Sequence, residues 1–199
     1  MAAASLGRPA PYPNSGMTQL TPILLLLLSG LIGGPTLLVV SKAEAVDVEA
    51  MDTRLRQHGP QMMLAETLLT GTITERYPDG SLKSVTTYLN GRKEGESRGF
   101  YPDGSLSFDR TYQSGLKEGI HSGWWEDGTP KFEYAFDSGE HQGSAREWFR
   151  DGSLYREFNY QAGHESGSQK MWFQDGSLRA NYVVRDGRRY GLIGTKPCS

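Results

Sequence analysis

Cysteine is almost missing from this chain: one residue, Cys198, in 199. That excludes an intramolecular disulfide framework and any zinc site built on clustered thiolates. Histidine is scarce as well, four residues in all, which together with one thiol leaves few parts for a catalytic cluster. Positive charge is not in excess. Lys plus Arg number 21 against 23 for Asp plus Glu, a formal net charge of −2, so nucleic acid is not an expected partner. Beyond Gly71 there is no helical periodicity of useful length. No serine sits in a nucleophile-elbow context, and no glycine-rich stretch leads into a helix as a phosphate loop must. The expectation is a non-enzymatic protein without a cofactor.

One long apolar run is present, from Ile23 to Val40, and only Arg8 and the chain amine precede it as positive charge. Ser41-Lys42-Ala43-Glu44-Ala45 follows and ends in a small-x-small triplet. Cationic leader, apolar run and Ala-x-Ala site together read as a signal peptide cut before Val46. The alternative is an uncleaved anchor, since eighteen residues just span a bilayer, although Gly33-Gly34-Pro35 weakens a helix at its middle. Both readings place everything after Val46 outside the cytoplasm, periplasmic or extracellular, with membrane contact only through residues 1–45 if they are retained. No cysteine lies near the run, which excludes a lipoprotein anchor.

Glycine is abundant, 25 residues, and it is periodic. Asp-Gly recurs at Asp79-Gly80, Asp103-Gly104, Asp127-Gly128, Asp151-Gly152 and Asp175-Gly176, 24 residues apart each time. Gly91, Gly115, Gly139, Gly163 and Gly187 form a second column with the same period; Gly95, Gly119, Gly143, Gly167 and Gly191 form a third. Five units at a fixed period define a repeat array. Alternation such as Phe132-Glu133-Tyr134-Ala135-Phe136 is that of half-buried strands. The Asp-Gly pairs read as hairpin turns of the primed type, with each aspartate bonding its own turn. The segments from second to third glycine, such as Gly115 to Gly119, read as polar connections between units.

The expected fold is therefore all-β: an elongated single antiparallel sheet of stacked 24-residue hairpins, about ten strands over residues 71–191. A signal or anchor segment (1–45) and an N-terminal cap or linker (46–70), helical or irregular with a partial leading strand, precede it. A C-terminal tail (192–199) with the lone Cys198 follows.

Aromatic-x-Asp-Gly, then Ser-Leu, a Tyr and Gly-x-x-x-Gly resembles the variant MORN repeat, a family that includes chains described as YwqK-type antitoxins. The resemblance covers Gly71 to Gly191. It implies β-hairpin repeats with a binding or scaffolding role and no family-wide catalytic residues, and it transfers no ligand.

Phe100, Trp124, Trp148 and Trp172 occupy one column, and Arg98, Arg146 and Lys170 lie two residues before three of its members. The column reads either as core or as a binding row for a protein, peptide or glycan, with the cations in cation–π contact. Glu140 and His164 share a column one period apart; a transition-metal site and solvated loop residues are the two readings, and His58 and His121 have no evident partner. Cys198 is either inert or the working group of a redox or metal-delivery accessory. The expected function is an exported interaction or scaffold module of the cell envelope. The alternatives are that accessory and an antitoxin or immunity protein.

Overall fold

The computed structural model describes residues 45–194. The leader and Cys198 lie outside the described residues. Sixteen strands and no helix make up the described chain: β1 (Val46–Glu49), β2 (Leu55–His58), β3 (Gln61–Leu64), β4 (Thr67–Leu68), β5 (Gly71–Arg76), β6 (Leu82–Leu89), β7 (Arg92–Phe100), β8 (Leu106–Gln113), β9 (Leu116–Trp124), β10 (Pro130–Asp137), β11 (Glu140–Trp148), β12 (Leu154–Gln161), β13 (His164–Glu165), β14 (Gly167–Trp172), β15 (Leu178–Arg185) and β16 (Arg188–Leu192). From β5 onward every strand pairs antiparallel with its chain neighbours, β13 and β14 being the two halves of one interrupted strand against β12.

The N-terminal segment is not the helical or irregular cap that its sequence suggests. Residues β2 to β4 form a separate three-stranded sheet, and β1 joins the main sheet parallel to β5, which makes that sheet mixed. Val46 pairs with Gly71, and a Cβ on Gly71 would stand 1.8 Å from the Val46 carbonyl oxygen. A glycine there lets the two backbones meet. Parallel pairing to an existing edge leaves no periodic signature in four residues, which is why the sequence pattern missed it.

The turn chemistry also differs from expectation. In each Asp-Gly loop only the glycine has positive φ, Gly104 at 82° for example. Gly104 N–H donates to Tyr101 O (2.9 Å) and Tyr101 N–H to Ser105 O (2.8 Å). This is a three-residue hairpin loop, a type I turn closed by a left-handed glycine, and Pro78 and Pro102 suit its second position. Each aspartate accepts from the residue two further on; Asp103 Oδ1 takes Ser105 N–H at 2.9 Å and the Ser105 hydroxyl at 2.6 Å. The hydroxyl bond, followed by the backbone bond, holds the Asp103 carboxyl below its ordinary range.

The primed turns lie at the other glycine column. Asn90-Gly91, Ser114-Gly115, Ser138-Gly139, Ala162-Gly163 and Asp186-Gly187 have positive φ at both residues. The stretch from second to third glycine is thus the start of a strand, not a connection. Gly95, Gly119 and Gly143 sit inside β7, β9 and β11 at positive φ, where the register against the preceding strand shifts. They are bulges, which re-aim the strand and increase its twist.

Candidate interaction surface

Successive units are joined by hydrogen bonds that the repeat itself dictates. Gly115 N–H donates to Lys93 O (2.8 Å) and Gly139 N–H to Lys117 O (2.9 Å). The first residue of each primed turn donates to the side chain before the preceding bulge glycine: Ser114 to Glu94 (2.6 Å), Ser138 to Glu118 (2.9 Å), Ala162 to Gln142 (2.9 Å). Thr70 serves Asn90 in the same way at 3.0 Å, so residues 69–71 act as a degenerate leading unit.

One face of the sheet carries rings. In-register pairing runs Gly99, Phe108, Gly123, Phe132 across β7 to β10. The Phe rings lie on the bare glycine backbones: an added Cβ would stand 2.1 Å from Phe108 at Gly99 and 2.2 Å from Phe132 at Gly123. Beside this line runs a chain of rings from Tyr112 through His121, Phe136 and His141 to Tyr160, with successive centroids 5.4, 4.7, 4.3 and 4.9 Å apart. His121 is therefore not isolated. It is 2% exposed, and its Nε2 meets Thr111 O at 2.8 Å. His141, adjacent in sequence to a turn, is half-buried between rings, and its buried Nδ1 has no hydrogen-bond partner. Burial pushes both imidazoles below their usual range, with Lys117 and Arg156 adding to the effect at His141. Gln169, fully buried, fills the gap between β13 and β14 by accepting from Asn159 N–H (2.9 Å) and donating to Asn159 O (2.8 Å).

The other face carries a cross-strand line in strict register: Arg98, Asp109, Ser122, Glu133, Arg146, Glu157, Lys170, Asn181. Arg98 reaches Glu96 (2.9 Å) and Asp109 (3.4 Å), and Arg146 reaches Glu157 (2.8 Å) and Glu133 (3.8 Å). Lys170 stands opposite Glu157. Arg146, expected over an indole, is thus drawn to carboxylates. The acidic members of this ladder share the 24-residue period, at 109, 133 and 157, a signal the sequence reading passed over. Such half-exposed pairs contribute little stability each, but they set the charge pattern of the face.

Phe100, Trp124, Trp148 and Trp172 end the first strand of their units, and all four are half-buried. Each lies at a shift of register, as between Gly99 and Phe100 or Glu147 and Trp148. The next residue enters the Asp-Gly loop and does different work. Tyr77 O–H donates to Phe100 O (3.0 Å) and Tyr101 O–H to Trp124 O (2.8 Å), tying the first two loops to the following unit. Cations cover this loop column: Lys83 over Tyr77 (5.8 Å), Lys131 over Trp125 (4.3 Å) and Arg179 over Phe173 (5.8 Å). Exposed His164 and Glu140 gather no third ligand; no group of three His, Cys, Asp or Glu able to hold a metal occurs among the described residues.

The model of the MORN repeat variant family matches residues 69–90 and 93–114, two adjacent units. These two units are similar to variant MORN repeats. The three units that follow keep the same Asp-Gly and glycine columns at the same spacing, so the MORN-type period extends to Gly191. No curated protein matches the chain. The family points to a repeat interaction module, and the units here lie side by side in one long mixed sheet.

Proposed function

We propose that the chain is an exported, non-enzymatic MORN-repeat module that binds another protein in the cell envelope. Its contact surface is the column Phe100, Trp124, Trp148 and Trp172 with the neighbouring cations Arg98, Arg146 and Lys170. The observation behind this reading is that four large aromatic side chains recur at unit spacing, each half-buried at a bulge and next to an ordered charge ladder. Aromatic residues beside arginines dominate binding hot spots, and a repeat sheet offers its partner a row of them. The apolar run with its Ala-x-Ala site supports export.

Co-purification from envelope fractions, comparing the natural chain with Trp148→Ala, tests the reading. The variant is expected to fold as the parent does while partner capture weakens by about 2 kcal/mol, the size of a hot-spot loss. Unchanged capture by a folded variant removes the column from the binding surface. A drop in melting temperature that accounts for the binding loss assigns Trp148 to packing.

A further inference from the structure

We propose that the cavity between the small β2–β4 sheet and the first hairpin, β5 and β6, binds one neutral pyranose sugar, free or at the end of a glycan. Leu55, Gln57 and Met62 of the small sheet roof a cavity of about 320 Å³, the lower end of the range for ligand sites. Ile73, Glu75, Ser84, Thr86 and Tyr88 form its floor. The roof is fastened along one side: Met62 N–H donates to Gly91 O (2.7 Å), Gly91 N–H to Leu69 O (2.7 Å), and Leu69 is fully buried.

The 24-residue period shows that this space is particular to the first hairpin. In the later units the places of Ser84 and Thr86 are taken by Phe108 and Arg110, Phe132 and Tyr134, Arg156 and Phe158, and Ala180 and Tyr182. Only the first hairpin carries two short hydroxyl side chains there, whereas Tyr88 keeps the ring of Tyr112, Phe136 and Tyr160. A roof of Leu55 and Met62 over bulky rings would be packing. Over Ser84 and Thr86 it encloses an unfilled space with polar walls.

Those walls select the ligand. Glu75 is already matched in charge, with Lys83 Nζ at 2.7 Å from one oxygen and the Ser84 hydroxyl donating to the other at 3.3 Å. The pair leaves no net charge for an ionic ligand to meet, but the carboxylate keeps free lone pairs. Gln57 donates to Gly59 O (3.3 Å) while its Oε1 and the Tyr88 hydroxyl have no hydrogen-bond partner among the described residues. The Thr86 and Ser97 hydroxyls share one bond of 2.8 Å, which leaves one of the two protons to donate elsewhere. An apolar ligand would strip water from these groups without replacing it. An uncharged ring with several hydroxyls, each donor and acceptor, satisfies them, and its C–H face lies against Tyr88, Ile73 and Met62.

Glucose, galactose and N-acetylglucosamine are the probes, with cyclohexanol and protonated cyclohexylamine as rings of similar size that carry one hydroxyl or a charge. Amide shifts of the full chain on titration are expected to saturate below about 10 mM with at least one sugar and with neither control. The shifts should centre on Gln57, Met62, Glu75 and residues 84–88. Gln57→Ala, at an exposed position, and Tyr88→Ala are each expected to weaken binding about tenfold. Amide dispersion reports whether each variant folds; if Tyr88→Ala does not, Thr86→Val removes a hydroxyl at constant shape and should weaken binding in its place. Equal affinity for the methyl glycoside of the bound sugar assigns the site to a glycan end, and loss of affinity to the free sugar; both uphold the proposal. A control ring that binds as tightly as any sugar, shifts centred elsewhere, undiminished binding by the folded variants, or no saturation by about 10 mM overturns it. None of these residues belongs to the tryptophan column, so sugar binding and partner capture stand or fall separately.

Discussion

Gly123 shows how a single residue is specified by its neighbour's ring and not by backbone angles. Its φ is not positive, yet a Cβ would stand 2.2 Å from Phe132, whose ring is held by stacking on Tyr134 at 4.9 Å. Gly123→Ala is expected to cost about 1–3 kcal/mol, as overpacking does. Chemical denaturation should show part of that loss recovered when Phe132→Leu is combined with it. The histidines give a second residue-scale expectation. Burial depresses the pKa of His121 and His141 in the folded chain, while unfolded imidazoles titrate near 6.5. Between the depressed values and 6.5 the unfolded state binds more protons, so stability rises with pH across that window. It should be complete above about pH 7 and decline as pH falls below 6.5. His141→Phe, which also removes the unpartnered Nδ1, is expected to flatten the pH dependence of the urea midpoint.

At the scale of the hairpin, the primed turn is the joint between units. Ser138 N–H has its carboxylate acceptor on Glu118, one unit earlier, and the next amide, Gly139 N–H, has Lys117 O. Glu118→Ala leaves the Ser138 amide to water and is expected to lower stability by roughly 1 kcal/mol, as loss of a helix cap does. Glu118→Gln should recover most of it, because Gln142 makes the same bond in the following unit. Melting curves of the three proteins check this. If Glu118→Gln were as damaging as Glu118→Ala, charge rather than the hydrogen bond would be the source of the stabilisation.

For the whole sheet the consequence of the period is modularity. Each hairpin bonds only to its neighbours, so excising residues 115–138 removes β9, its Asp-Gly loop, β10 and one primed-turn serine, and rejoins like to like. A chain shortened by those 24 residues is expected to remain folded with a β-type circular dichroism spectrum and a modestly lower melting temperature. A deletion of 23 residues places side chains of the rejoined strand on the wrong face, and this variant should unfold or aggregate. Equal stability of the two deletions would mean that the units are not independent modules.

The array was legible in the sequence because its determinants are local and repeated. Asp103, Gly104 and Ser105 make their own loop, and Phe132 and Tyr134 alternate with polar residues whatever lies beyond. Periodicity of this sort survives translation from unit to unit, so hairpins, their number and the aromatic column followed from spacing alone. What needed the tertiary structure is everything decided between units. The type of each turn depends on φ at Ser114 as well as Gly115, and Ser114 is held there by Glu94, twenty residues away. Burial of His121 depends on Tyr112 and Phe136 arriving from neighbouring strands. Arg146 turns to Glu133 and Glu157 because register places carboxylates on both sides of it. A sequence period states which residues are equivalent; only the pairing of strands brings residues of different columns within a few ångströms, where hydrogen bonds and ring contacts operate.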